Sequence, residues 1–252
     1  MPCTLTYADD TVVLENAEEL FIAFDLTPNE ADLELLTQIK DCIEELITND
    51  EEFLMLLKQV LGQKGMSKKP FLQMFGEGLQ KVITRGKTLN VALAILAREE
   101  DQQYLIDALG MEGIRKCITG LEDLAGCLEW LYGKMDEYFI DMVGWEYFMH
   151  FINNGEDLAM VVKYLEEREE ALLIEKMGWP RMLECIQSPR DLFNVLTGLE
   201  GKNEKALLEK MDHQKLLQVI PFEYQLQEIC NRQLTPADAA LLMEKYKTGR
   251  GE

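Results

Sequence analysis

The chain's whole supply of side chains that titrate near neutrality is two histidines, His150 and His213, and its only serines are Ser67 and Ser188. No HExxH, GxSxG or CxxC spacing occurs, so the patterns that build a zinc hydrolase, a nucleophile elbow or a dithiol centre are missing. A cysteine nucleophile would need one of the two imidazoles as its base. No spacing couples them to Cys3, Cys42, Cys117, Cys127, Cys185 or Cys230. Gly86-Lys87-Thr88 has the ending of a phosphate-binding loop, but Lys81 stands where the first glycine belongs and no strand pattern precedes it. Carboxylates are abundant, yet Glu166-Glu167-Arg168-Glu169-Glu170 reads as a solvated turn between helices. No catalytic, metal-ligating or cofactor-binding residue is assigned, and the chain is expected to be non-enzymatic and to need no cofactor.

The elements that position side chains follow from a repeat. Residues 121–154, 155–188 and 189–222 overlay without a gap at a period of 34. Thirteen columns of the overlay are apolar in every copy, among them Leu124/Leu158/Leu192, Leu131/Leu165/Leu199 and Ile152/Ile186/Ile220. Chance at this composition would give roughly three or four. In the middle copy the pattern predicts three short helices, Asp157–Glu167, Glu169–Met177 and Pro180–Ile186. Asp123, Asp157 and Asp191 stand at the third position of each copy, where a carboxylate suits a helix start. Gly144 and Gly178 end the second helix, while Asp212 replaces glycine in the last copy and reads as decay of the array. Lys134/Arg168/Lys202, Asp136/Glu170/Glu204 and Asp141/Glu175/Glu209 keep charge type and are expected to form exposed salt-bridge ladders.

The expectation is an all-α fold: an α-solenoid of stacked three-helix repeats with helical caps. It divides into an acidic cap region over 1–62, an array over 63–222 and capping helices with a tail over 223–252. Within the first region Thr11–Leu14 could form a short strand, and residues 29–62 are helical in pattern. Thr235-Pro236-Ala237-Asp238 starts a helix, and Thr248–Glu252 are expected to fray.

Charge is uneven. The net charge is −21, and residues 1–62 hold fifteen acidic and two basic side chains. Between Gln63 and Lys87 the balance inverts, with Lys64, Lys68, Lys69, Lys81, Arg85 and Lys87 against Glu77 alone. That band either docks on the acidic cap or binds an anionic partner. The acid excess repels nucleic acid and anionic lipid and favours a protein partner with a basic surface. No apolar run is long enough to insert into a membrane and no signal peptide is evident. The six scattered cysteines read as reduced thiols in a cytosolic compartment.

Large aromatics outside the apolar columns are the candidate contact residues. Trp130 shares its column with Tyr164 and Gly198, Tyr132 with Glu166 and Glu200, and Tyr147 with Arg181 and Lys215. Stacking does not require these positions, so Trp130, Tyr132, Tyr147, Tyr164 and Glu166 form the predicted partner-binding set. Trp145 and Trp179, beside the glycine turns, read as structural.

The unit DLxxVLxxL…LLEKMGWxxLLxxI, spanning Asp157–Ile186 and its copies, resembles the degenerate helical repeats of effector proteins that intracellular bacteria inject through type IV secretion systems. The likeness covers about residues 70–222 and carries no functional residues across. It implies a host-cytosol location and the binding of host or fellow effector proteins. The other function classes kept open are an enzyme with carboxylates in the repeat groove and an acidic mimic of nucleic acid.

Overall fold

The computed structural model describes residues 3–7, 10–25, 37–60 and 68–251. It is predominantly helical and forms two compact units, Met1–Val143 and Gly144–Glu252. The boundary falls inside the region that the sequence assigns to one array. Leu33, Leu36 and Lys64, which enter the expected cap and basic band, lie outside the described residues.

The first unit opens with a hairpin that the sequence signals only in part. Strand β1 (Cys3–Tyr7) pairs antiparallel with β2 (Asp10–Leu14), Leu5 opposite Val12. Helices α1 (Ala17–Asp25), α2 (Ile43–Leu46) and α3 (Asp50–Val60) follow. A disulfide joins Cys3 to Cys42 across 5.8 Å between Cα atoms. This corrects the reading of all six cysteines as reduced thiols. The two are 39 residues apart in the chain, and the Gln38 side chain, four residues before Cys42, bonds both the N–H and the C=O of Thr6 on β1. Cys117, Cys127 and Cys185 are free and buried. Burial raises their thiol pKa, that of Cys117 to about 11, which leaves them inert at neutral pH.

Next come α4 (Lys69–Phe75), α5 (Leu79–Val82), α6 (Gly86–Ile95), α7 (Glu99–Cys117), α8 (Leu121–Trp130) and α9 (Met135–Val143). Phe53, Phe71 and Phe75 form a closed aromatic cluster with centroids 5.3–6.2 Å apart. The basic band meets the acidic region here. Lys81 Nζ lies 2.8 Å from Glu44, and Arg85 and the Thr88 hydroxyl both donate to Asp50. Those contacts hold the Asp50 carboxyl below its ordinary pKa despite the opposing effect of burial.

In the second unit α10 (Trp145–His150), α11 (Gly155–Val162), α12 (Glu167–Met177), α13 (Trp179–Cys185), α14 (Pro189–Gly198), α15 (Gly201–Lys210), α16 (His213–Val219), α17 (Glu223–Gln233) and α18 (Pro236–Arg250) follow in order. First helices pack on first helices: α11 on α14 and α14 on α17 here, and α3 on α6 and α6 on α8 in the first unit. Second helices pair likewise, α12 with α15. The first helix of the middle copy ends at Val162, earlier than expected, because the chain turns there to bury Leu165. The helix α18 continues through Thr248 to Arg250, where fraying was expected, and Gly251 caps it.

The apolar columns form the core. All thirteen are buried in every copy except those beginning at Ala125, Tyr138, Met149 and Phe151, in which at least one member is half-buried. Each fully buried Leu or Ile contributes roughly 1.5–3 kcal/mol. The junctions are held by polar devices. Asp123, Asp157 and Asp191 accept from backbone N–H groups just before their helices, at Thr119, Asn153 and Ser188, and so reach backward rather than into the first turn. Gly76, Gly110, Gly144 and Gly178 stand 34 residues apart and all take positive φ, 48°, 61°, 90° and 76°. A side chain is strained there. At the next place in the series Asp212 has φ −76° and its carboxylate accepts from Lys215 N–H. The last copy therefore replaces a glycine turn with an N-cap, a substitution of one device by another rather than decay.

Candidate interaction surface

The turn after α8 is built by one residue, Gln102 on α7. Its side chain is fully buried among the apolar columns. Nε2 donates to Trp130 O at 2.6 Å and to Leu93 O at 3.2 Å, while Oε1 accepts from Tyr132 N–H at 3.1 Å. Leu131 between them points inward and is 8% exposed. The backbone on either side is thus pinned from within, and the rings of Trp130 and Tyr132 face outward, 39% and 42% exposed. A buried amide that leaves none of its three bonds optional gives this pair of rings a fixed backbone.

The corresponding turn of the second unit uses the same column with different chemistry. Glu170 is fully buried and accepts from Glu200 N–H at 3.1 Å and from Asn203 Nδ2 at 2.8 Å. Asn203 in turn donates to Glu167 O at 2.7 Å. Burial pushes the Glu170 carboxyl above its ordinary pKa, against the pull of the Asn203 and Glu200 hydrogen bonds. This corrects the expectation of exposed ladders for Asp136, Glu170 and Glu204. Asp136 is 6% exposed, and Glu204 is half-buried with its pKa raised by desolvation and by Asp238. Only Asp141, Glu175 and Glu209 of the acidic columns lie on the surface. Column spacing keeps the residue class but does not say whether a carboxylate meets a lysine or a peptide N–H.

The remaining predicted residues belong to the second unit. Tyr164 is half-buried with Lys163 Nζ 4.8 Å above its ring, and Glu166 is exposed at the start of α12. Both occupy the turn that corresponds to Trp130 and Tyr132. Tyr147 is half-buried and packs edge-on against Phe151 at 5.2 Å. Trp145 packs edge-on against Phe148 at 5.7 Å, at the start of α10. His150 and His213 are exposed. Sequence reasoning passed over Gln102. Its signal was available, because it stands one period before Asp136, but upstream of residue 121 the Leu89, Leu93 and Leu96 stripe fits the overlay only after a slip of one residue, which obscures the register.

Among the described residues no cluster of three His, Cys, Asp or Glu side chains is arranged to hold a metal ion, and no helix is long and apolar enough to cross a membrane. Comparison with protein-family models, with curated proteins and with solved structures returns no significant match.

Proposed function

We propose that this chain is an α-helical repeat solenoid that binds another protein through outward-facing aromatic positions and performs no chemistry of its own. The observation that carries the reading is the Gln102 clamp, which spends a fully buried amide on fixing the turn that exposes Trp130 and Tyr132. Stacking needs neither ring, since the same columns hold Gly198 and Glu200 in another copy. Tyr147, Tyr164 and Glu166 are the further contact candidates. The net charge of −21 favours a partner with a basic surface and gives salt-sensitive association. The partner would be scaffolded or inhibited by the contact. The regular glycine turns and the side-by-side first helices within each unit support the solenoid.

A location in a cytosol, the cell's own or a host's, goes with the likeness to injected effectors. The Cys3–Cys42 bond bears on it, because disulfides persist in oxidising compartments. Trapping free thiols in protein taken from cells, followed by mass measurement, reads which state holds. The binding reading is tested by capture from lysate with the intact chain and with Trp130→Ala/Tyr132→Ala. The double variant is expected to lose its partner by about 30-fold or more. Unchanged capture of the same partner by the variant would remove these rings from the interface. Competition between DNA and the chain for that partner would turn the reading to a nucleic-acid mimic.

A further inference from the structure

Extending the overlay to a fourth copy aligns α17 with α14, since Glu223 follows Pro189 by one period. Between these two helices lies an open groove of about 300 Å³ lined by Arg190, Phe193, Tyr224, Glu228, Ile229 and Arg232, among others. Its lining departs from the repeat wherever stacking permits. Arg190 stands in the column of Glu122 and Glu156, and Phe193 in the column of Ala125 and Ala159. Tyr224 follows Arg190 in the former column, and Phe222 occupies the helix-cap column of Asn154 and Ser188.

Phe222 is the most telling of these. Asn154 and Ser188 each accept from a backbone N–H of the helix they start, and phenylalanine has no atom that can do so. A phenylalanine there gives up a helix cap. Its ring instead lies 57% exposed, stacked on Tyr224 with centroids 5.8 Å apart and planes 15° from parallel. Tyr224 is 64% exposed, and these two are the exposed large apolar side chains of the second unit's described residues. Ile229, 3% exposed, forms the floor.

Electrostatics selects the occupant. The Arg190 guanidinium makes no hydrogen bond or ion pair with any described residue, and that of Arg232 meets only Glu228 at 3.2 Å in an exposed, exchangeable pair. Stacked rings beside arginines also suit nucleic-acid bases, but the surrounding chain carries −21 and repels a phosphate backbone. A short polypeptide segment brings carboxylates without that density of charge. We propose that the α14–α17 groove binds an acidic, apolar-containing peptide segment. An apolar side chain lies against Phe193, Ile229 and the Phe222–Tyr224 rings, and flanking carboxylates meet Arg190 and Arg232. The proposal rests on the reading of the chain as a protein binder but on a different unit and different residues.

The test uses the full chain and a fluorescein-labelled synthetic peptide of about twelve residues, two glutamates flanking a phenylalanine–leucine pair in a serine and glycine background, followed by anisotropy. Binding is expected, and is expected to be lost in the same peptide carrying glutamine for glutamate. Arg190→Glu, which restores the residue type of two other copies, is expected to weaken it by about tenfold or more. Phe222→Ser restores the helix cap, so it is expected to lose binding by a similar factor while Tm rises by about 2–4 °C. That opposite movement separates a contact residue from a structural one. The proposal is overturned by no binding of the acidic peptide, by equal binding of the glutamine peptide, by tighter binding of single-stranded oligothymidine, or by a Phe222→Ser variant that binds normally. Failure here with partner capture still lost in Trp130→Ala/Tyr132→Ala overturns the groove alone. Peptide binding that depends on Arg190, with capture unchanged in that double variant, overturns the Trp130–Tyr132 surface alone.

Discussion

The turn after α8 and the turn after α14 are the same joint built with different parts. In the first, a neutral amide, Gln102, bonds two carbonyls and one N–H and leaves two aromatic rings on the surface. In the second, a carboxylate, Glu170, accepts only from N–H donors, and the outward places hold Gly198 and Glu200. Glycine at 198 has its own cause. A Cβ there would lie 2.6 Å from Val162 Cγ2, so α14 sits too close to α11 for any side chain at that point. The comparison teaches that the inner half of each joint is fixed by hydrogen-bond arithmetic, whereas the outer half is free to carry contact chemistry in one copy and close packing in another.

The sharpest way to break that comparison is to empty the first joint. Gln102→Leu leaves two carbonyls and an N–H without their buried partner, and is expected to destabilise the protein by about 3 kcal/mol or more in denaturant unfolding. A loss below about 1 kcal/mol would mean that water enters and the clamp does not position the rings. Tryptophan emission should shift to the red at the same time.

A middle-sized effect separates the two ways of making the junction before a third helix. Gly178→Ala forces a side chain into a φ of 76° and is expected to cost about 2 kcal/mol. Asp212→Gly, which gives the last copy the residue of the others, is expected to cost only a few tenths of a kcal/mol, because glycine is tolerated at a helix cap. Equal losses in the two would contradict the exchange of devices inferred from the φ values.

The smallest effect is electrostatic. Burial raises the Glu170 pKa above its ordinary 4.5, so the folded chain holds this proton to higher pH than the unfolded chain. Stability contributed by the protonated form is therefore fully present below pH 4.5 and is lost as pH rises through the folded value. Glu170→Gln keeps an acceptor for Glu200 N–H and removes the charge. It is expected to flatten stability against pH between that range and neutrality. An unchanged slope in urea melts across that range would assign the raised pKa no thermodynamic role.

The sequence carries the helical class, the apolar columns and the exposure of Trp130 and Tyr132, because each follows from helical periodicity or from the 34-residue overlay. It does not carry the fate of Asp136, Glu170 and Glu204. Whether a carboxylate at a helix start faces water or a neighbouring backbone depends on the approach of a helix some thirty residues away. The Cys3–Cys42 link was hidden for the same reason, since β1 has little pattern of its own. The groove at α14 and α17 lay within the overlay, in Arg190 against Glu122 and Glu156, but reading it required a fourth copy whose second helix starts out of register.

Lys245 gives the far end of the chain a meaning that its position would not suggest. Its ammonium group donates to Leu208 O, Glu209 O and Met211 O at 2.8, 2.8 and 2.9 Å, so it acts as a buckle on the last turn of α15. Shortening the protein to residue 244 would therefore loosen a helix more than thirty positions upstream, whereas an affinity tag placed after Glu252 would leave the fastening untouched.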